Sequence, residues 1–147
     1  SSDLTDFLGG LSVADHHEAA SEAMVFKQVA ATIRALAQIG RVVIVGRGGV
    51  YITHDMPAGV HVRLIAPQAH RIANMAQREN LSEKMAALRV HQLEQNRQAF
   101  RKRYWPHQAD DPTLFDITLN TADMSTDAIV DTITPLVTSK TPPPSRT

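Results

Sequence analysis

Two groups of arginines are the residues of this chain best placed to do chemistry. Arg47 stands between Gly46 and Gly48, directly after the run Val42-Val43-Ile44-Val45. A continuous apolar, β-branched run reads as a buried strand of a parallel sheet, and ligands of such sheets gather at strand carboxyl ends. Glycine lets a ligand approach the backbone closely, and a guanidinium pairs with two oxygens of an anion. Phosphate is the anion that suits this arrangement. An exposed arginine in a tight strand-to-loop turn explains the same residues without a ligand. The second group is Arg97, Arg101 and Arg103, with Lys102 among them. Ala86, Val90, Leu93, Phe100 and Tyr104 recur at helical spacing as one apolar stripe, and Arg97 interrupts it. A guanidinium taken out of water needs a carboxylate or a phosphate. Glu94, one turn earlier, can supply the carboxylate, and cations also suit the negative end of a helix dipole. The alternative is an arginine clamp on transferring phosphate, where charge spreads over the phosphate oxygens.

The elements that must position these groups alternate between helix and strand. The spacing predicts a long helix over residues 13–39, opened by the capping-box pair Ser12 and Asp15 and stopped by Gly40. A strand over 42–45 follows, then a turn at Met56-Pro57-Ala58-Gly59 and a second strand over 60–65. Pro67 opens a helix to about Glu79. Asn80-Leu81-Ser82 breaks it, and Ser82 caps a helix reaching about Tyr104. Residues 115–120 alternate as a third strand. Ser125 caps a last helix, which Pro135 should bend or end. These elements imply an α/β sandwich with a mainly parallel sheet in one domain over 1–138. A flexible Pro-, Ser- and Thr-rich tail follows over 139–147.

Composition narrows the function. The 147 residues carry 15 basic and 15 acidic side chains, so no net charge draws the chain to nucleic acid or membrane. The absence of cysteine removes disulfides, thiol catalysis and cysteine metal sites. No apolar run approaches a membrane span and no signal peptide is visible, so a cytoplasmic protein is the expectation. The seven histidines show no zinc-ligand spacing, and no metal site is expected. The stretch from Arg97 to Trp105 interleaves basic and aromatic residues as single-strand nucleic-acid surfaces do, but it is short and its Phe100 belongs to the apolar stripe, so nucleic acid is an unlikely partner.

From about Arg41 to Ile133 the chain resembles the cytidylate kinase-like family, among the P-loop nucleoside monophosphate kinases. The matching blocks are Val43-Ile44-Val45-Gly46-Arg47-Gly48-Gly49, His61 to Pro67 with Arg71 beyond, Arg78 to Lys84, Glu94-x-x-Arg97-x-x-Phe100-x-x-Arg103-Tyr104, Asp111 to Asp116, and Leu119-Asn120-Thr121. The resemblance implies a three-layer sandwich with a helical lid and phosphoryl transfer from ATP, with Mg²⁺ on its phosphates, to CMP or dCMP. It implies that Gly46, Arg47 and Gly48 hold the acceptor phosphate. Arg97, with Arg101 or Arg103, would clamp the transferring group, and Arg71 and Arg78 would reach the donor nucleotide or the lid, unless they form a structural salt bridge. The family commonly has aspartate where this chain has Glu94. The donor loop is the largest departure: Lys27, Lys84, Lys102 and Lys140 are the only lysines and none follows a glycine, so no Gly-rich phosphate loop is present. The chain thus reads as the C-terminal two-thirds of such a kinase, without its first strand and phosphate loop. Mononucleotide binding without phosphoryl transfer by the chain alone is the expectation. A degenerate nucleotide-binding or regulatory domain is the alternative. A homodimer, or a missing N-terminal segment, would cover the strand edges left open.

Overall fold

The computed structural model describes residues 2–140, with side chains from residue 20 onward. Two compact units divide the chain between Thr53 and His54.

In the first unit, α1 (Ser2–Ile39) and α2 (Gly49–Thr53) pack together. Ser12 and Asp15 lie inside α1, which therefore starts earlier than their spacing predicts. A capping box marks a terminus only where the preceding backbone leaves N–H groups unpaired, and here helix precedes it. Gly40 does stop the helix: it takes a left-handed φ of 79° and its N–H donates to Leu36 O at 3.1 Å. Ile33, Tyr51 and Ile52 are the buried apolar residues of this unit among the described side chains. Arg34 ties the two helices by donating from Nη1 to Ile52 O at 2.7 Å.

The predicted strand over 42–45 is not one. The segment joins no sheet, and Val43 and Val45 are 88% and 84% exposed. β-branched composition favours extended backbone, but a strand exists only through a hydrogen-bonded neighbour, which none of the described residues supplies.

The second unit holds β1 (Val62–Ile65), α3 (Gln68–Glu79), α4 (Glu83–Tyr104), β2 (Ile117–Asn120) and α5 (Thr126–Lys140). β1 and β2 pair in parallel, Val62 opposite Ile117 through Ile65 opposite Asn120. A parallel pair needs a crossover, and α3 and α4 lie within it. The sheet among the described residues is therefore parallel, but has two strands where three were expected, and both are shorter than the sequence pattern. Ser82 and Ser125 cap as predicted, their hydroxyls accepting from Met85 N at 3.2 Å and Ala128 N at 3.1 Å. α5 does not end at Pro135 but continues to Lys140. Two predicted tail residues, 139 and 140, thus belong to this helix, and the rest of the tail lies outside the described residues.

Candidate functional site

The two arginine groups fall in different units, and each is described by itself. In the first unit, Gly46, Arg47 and Gly48 form a turn in which all three residues have positive φ, at 69°, 55° and 68°. Gly49 N donates to Gly46 O at 3.0 Å, and Tyr51 and Ile52 donate to Gly48 O at 3.0 and 3.2 Å. Left-handed backbone suits the two glycines but strains an arginine, by roughly 1–2 kcal/mol. The Arg47 side chain is exposed and has no polar partner among the described residues.

In the second unit the site is an antiparallel helical hairpin at the end of β1. Pro67 sits at the N-cap of α3 with extended backbone, as a residue locked near φ −55° can. Asn80 closes α3 in left-handed backbone at φ 52°, with Leu81 N donating to Ala76 O at 2.9 Å. The chain thereby reverses within three residues. Met75, Ala86 and Val90 form the buried core between α3 and α4, with Ile72, Ala76, Leu81 and Leu93 packed around it. The first half of the predicted α4 stripe is therefore core.

The second half is not, because α3 is too short to cover it. Arg71 on α3 pairs with Glu94 on α4, and Glu79 lies 3.7 Å from Arg89, which sets the antiparallel register. Beyond Arg71, α3 has only three residues left, His70 to Gln68, whereas α4 runs ten residues past Glu94 to Tyr104. At 1.5 Å per residue that leaves α4 overhanging by roughly 10 Å. Arg97 stands level with the first residue of α3, where this overhang begins, and Arg101, one turn on, lies within it. Phe100, expected in the core, is 37% exposed and packs edge-on against Tyr104 and Trp105 at centroid distances of 5.1 and 5.7 Å.

The arginines here differ in how far they are engaged. Arg71 is fully used: its Nε donates to Ala66 O at 2.9 Å, just past β1, and its guanidinium holds Glu94. This is the structural salt bridge left open by the sequence, though its partner is Glu94. Arg78 is exposed, with Nη2 3.7 Å from Met75 Sδ. Arg103 lies over the Tyr104 ring at 5.5 Å. Arg101 is half-buried, and its Nε finds no acceptor. Arg97 is exposed and has no polar partner among the described residues. Glu94, expected as its partner, has gone to Arg71.

Sequence reasoning missed a further cluster at the other end of the sheet. His61 N donates to Asp116 Oδ2 at 2.7 Å, and Lys140 Nζ lies 2.6 Å from Asp116 Oδ1. One carboxylate thus joins the entries of β1 and β2 to the end of α5. Burial lowers the His61 imidazole below its usual value; the Asp116 charge opposes this, and Lys140 and His54 add to it. Burial pushes the Asp116 carboxyl up, but the His61 N–H and the Lys140 ammonium together bring it below the ordinary carboxylate value. The Asp111 side chain caps the 3₁₀ turn Pro112–Leu114, accepting from Thr113 N at 2.9 Å. No group of His, Asp or Glu among the described residues can hold a metal ion.

The glycine-flanked Arg47 and the cationic α4 end are matched by a wider likeness. Residues 1–123 match the family model of the cytidylate kinase-like family. The chain belongs to that family. The match runs from α1 through β2 and so contains every arginine discussed above. Membership of the cytidylate kinase-like family places the chain, coarsely, with nucleotide kinase-like proteins. No curated protein and no solved structure matches the chain. No helix among the described residues is long and apolar enough to cross a membrane.

Proposed function

We propose that this chain binds a nucleoside monophosphate, CMP or dCMP, and that the cationic C-terminal end of α4 clamps its phosphate. The observation that carries the reading is the state of Arg97: exposed and without a polar partner among the described residues, on a helix end where Arg101, Lys102 and Arg103 add charge and no acidic residue stands between Glu94 and Asp110. Four cations on two turns repel one another and gain from a multivalent anion. Arg47, in the strained turn of the first unit, is proposed by itself as an anion ligand, and strain at an exposed polar residue accords with a binding role.

ATP is a different matter. The 147 residues contain no glycine–lysine phosphate loop, and the described residues offer no carboxylate cluster for Mg²⁺. The donor triphosphate therefore does not fit the residues present, and no transfer step is assigned to this chain by itself. Calorimetric titration with CMP tests the proposal, with ATP-dependent CMP phosphorylation measured alongside. Expected are saturable CMP binding, at least tenfold weaker in Arg97→Ala, and no phosphorylation. An unchanged affinity in Arg97→Ala overturns the reading, as does tight, salt-sensitive binding of oligonucleotides with none of CMP.

A further inference from the structure

The engagement of Arg71 has a functional side. Glu94 is the sole carboxylate on α4 after Glu83, and it stands three residues before Arg97. An acid placed one turn N-terminal to a base attracts it on a helix surface. On an isolated α4, Glu94 would pair with Arg97 and occupy the guanidinium that a phosphate needs. In the folded chain it does not, because Arg71 reaches across from α3 and takes the carboxylate. Arg71 is itself fixed from behind: its Nε is bound to the Ala66 carbonyl at 2.9 Å, which leaves its Nη1 for Glu94. Both Arg71 and Glu94 are half-buried, whereas Arg97 is exposed. The cross-helix pair, its side chains 40% and 38% exposed, joins Glu94 to an arginine already fixed by a second hydrogen bond, and it prevails over the local one.

We infer that Arg71 is a positioning residue for anion binding: it holds Glu94 away from Arg97 and keeps that guanidinium open to an anion, without touching the ligand. The inference rests on the reading of Arg97 as a phosphate ligand. It turns a salt bridge between two helices into a control on the charge of the site. With Arg71 in place the carboxylate is neutralised; without it, Glu94 competes directly with phosphate for Arg97 and repels the anion.

The experiment measures the CMP affinity of the full chain by calorimetry in Arg71→Ala, Glu94→Gln, the double variant and Arg97→Ala. Arg71→Ala is expected to weaken CMP binding roughly three- to fivefold, the range of a single partly exposed ion pair. Glu94→Gln alone binds no more weakly than the parent, and adding it to Arg71→Ala restores affinity to within about twofold. That rescue separates positioning from a structural role, since deleting a merely structural salt bridge from both sides does not restore binding. The inference is overturned if Arg71→Ala binds as the parent does, or if the double variant stays as weak as Arg71→Ala. Should Arg71→Ala not melt cooperatively, Arg71→Gln, which keeps a donor for the Ala66 carbonyl, replaces it in the same cycle. Arg97→Ala keeps the two readings apart. If it has no effect, the phosphate reading itself fails; if it weakens binding while Arg71→Ala does not, only the inference fails.

Discussion

The Gly46–Arg47–Gly48 turn and the overhanging end of α4 each present exposed arginine, and they do so by different means. At the turn, the backbone does the work. Three successive left-handed residues set the direction of Arg47, and no side chain among the described residues holds it. On α4 the backbone is ordinary helix, and charge does the work. Arg71 removes the competing carboxylate and the short α3 leaves the helix end uncovered. The first arrangement costs local strain but needs few neighbours. The second needs a packed hairpin, because the register that joins Arg71 to Glu94 exists only while α3 and α4 stay docked.

That dependence gives the largest expected effect. Val90 is 5% exposed in the α3–α4 core. Val90→Asp buries a carboxylate with no cation beside it and should cost about 3 kcal/mol or more. Far-UV circular dichroism on heating reads this as a large fall in melting temperature, with CMP binding lost. A variant that melts as the parent does would show that the hairpin core contributes little to holding α4.

The same contrast explains what could be read beforehand. Helix starts at Ser82 and Ser125, the stop at Gly40 and the break at Asn80 were legible, because a cap is a contact between residues a few positions apart. Pairings across the chain were not. Glu94 has one arginine three residues away and another twenty-three residues away, and sequence spacing favours the near one. Only the docked hairpin shows that Arg71 prevails. Phe100 continues the α4 stripe by spacing, yet whether a stripe position is core depends on the length of the opposing helix, and α3 ends too soon. Residues 42–45 have strand composition, but composition cannot supply the neighbouring strand. The Asp116 cluster joins three elements, each contributing an unremarkable polar residue, and left no local pattern to find.

Glycine substitution sharpens the comparison with a smaller effect of opposite sign in the two regions. Arg47→Gly relieves a left-handed residue at φ 55° and should raise stability by up to about 1 kcal/mol, offset in part by a freer unfolded chain. Arg47→Ala keeps the strain and should gain nothing. Arg97→Gly places glycine inside a regular helix and should cost about 1 kcal/mol. Urea titration of the three variants reads the signs directly. Destabilisation by Arg47→Gly would mean that its side chain, and not its backbone, stabilises the turn.

The smallest effect concerns the strand that anchors the α4 arrangement. Ala66, which holds Arg71, follows β1, and the entry to β1 is fastened by Asp116. Both titrating partners there make acid unfavourable, in separate windows. The folded His61 binds its proton less readily than the unfolded chain, whose value is about 6.5. Its contribution is complete above that pH and is lost as pH falls through and below it. Asp116 is held below its ordinary 3.8, so its contribution persists to lower pH and disappears only beneath that value. The His61 and Asp116 side chains are 15% and 25% exposed, but opposing influences partly cancel at each, so each loss should stay near about 1 kcal/mol or below. Asp116→Asn should abolish the lower window. It should also widen the upper one, since the Asp116 charge is what pulls the His61 value upward against burial. Urea midpoints from pH 8 to pH 3 resolve the two, and an upper window that narrows in Asp116→Asn would show that the carboxylate does not sustain the His61 charge.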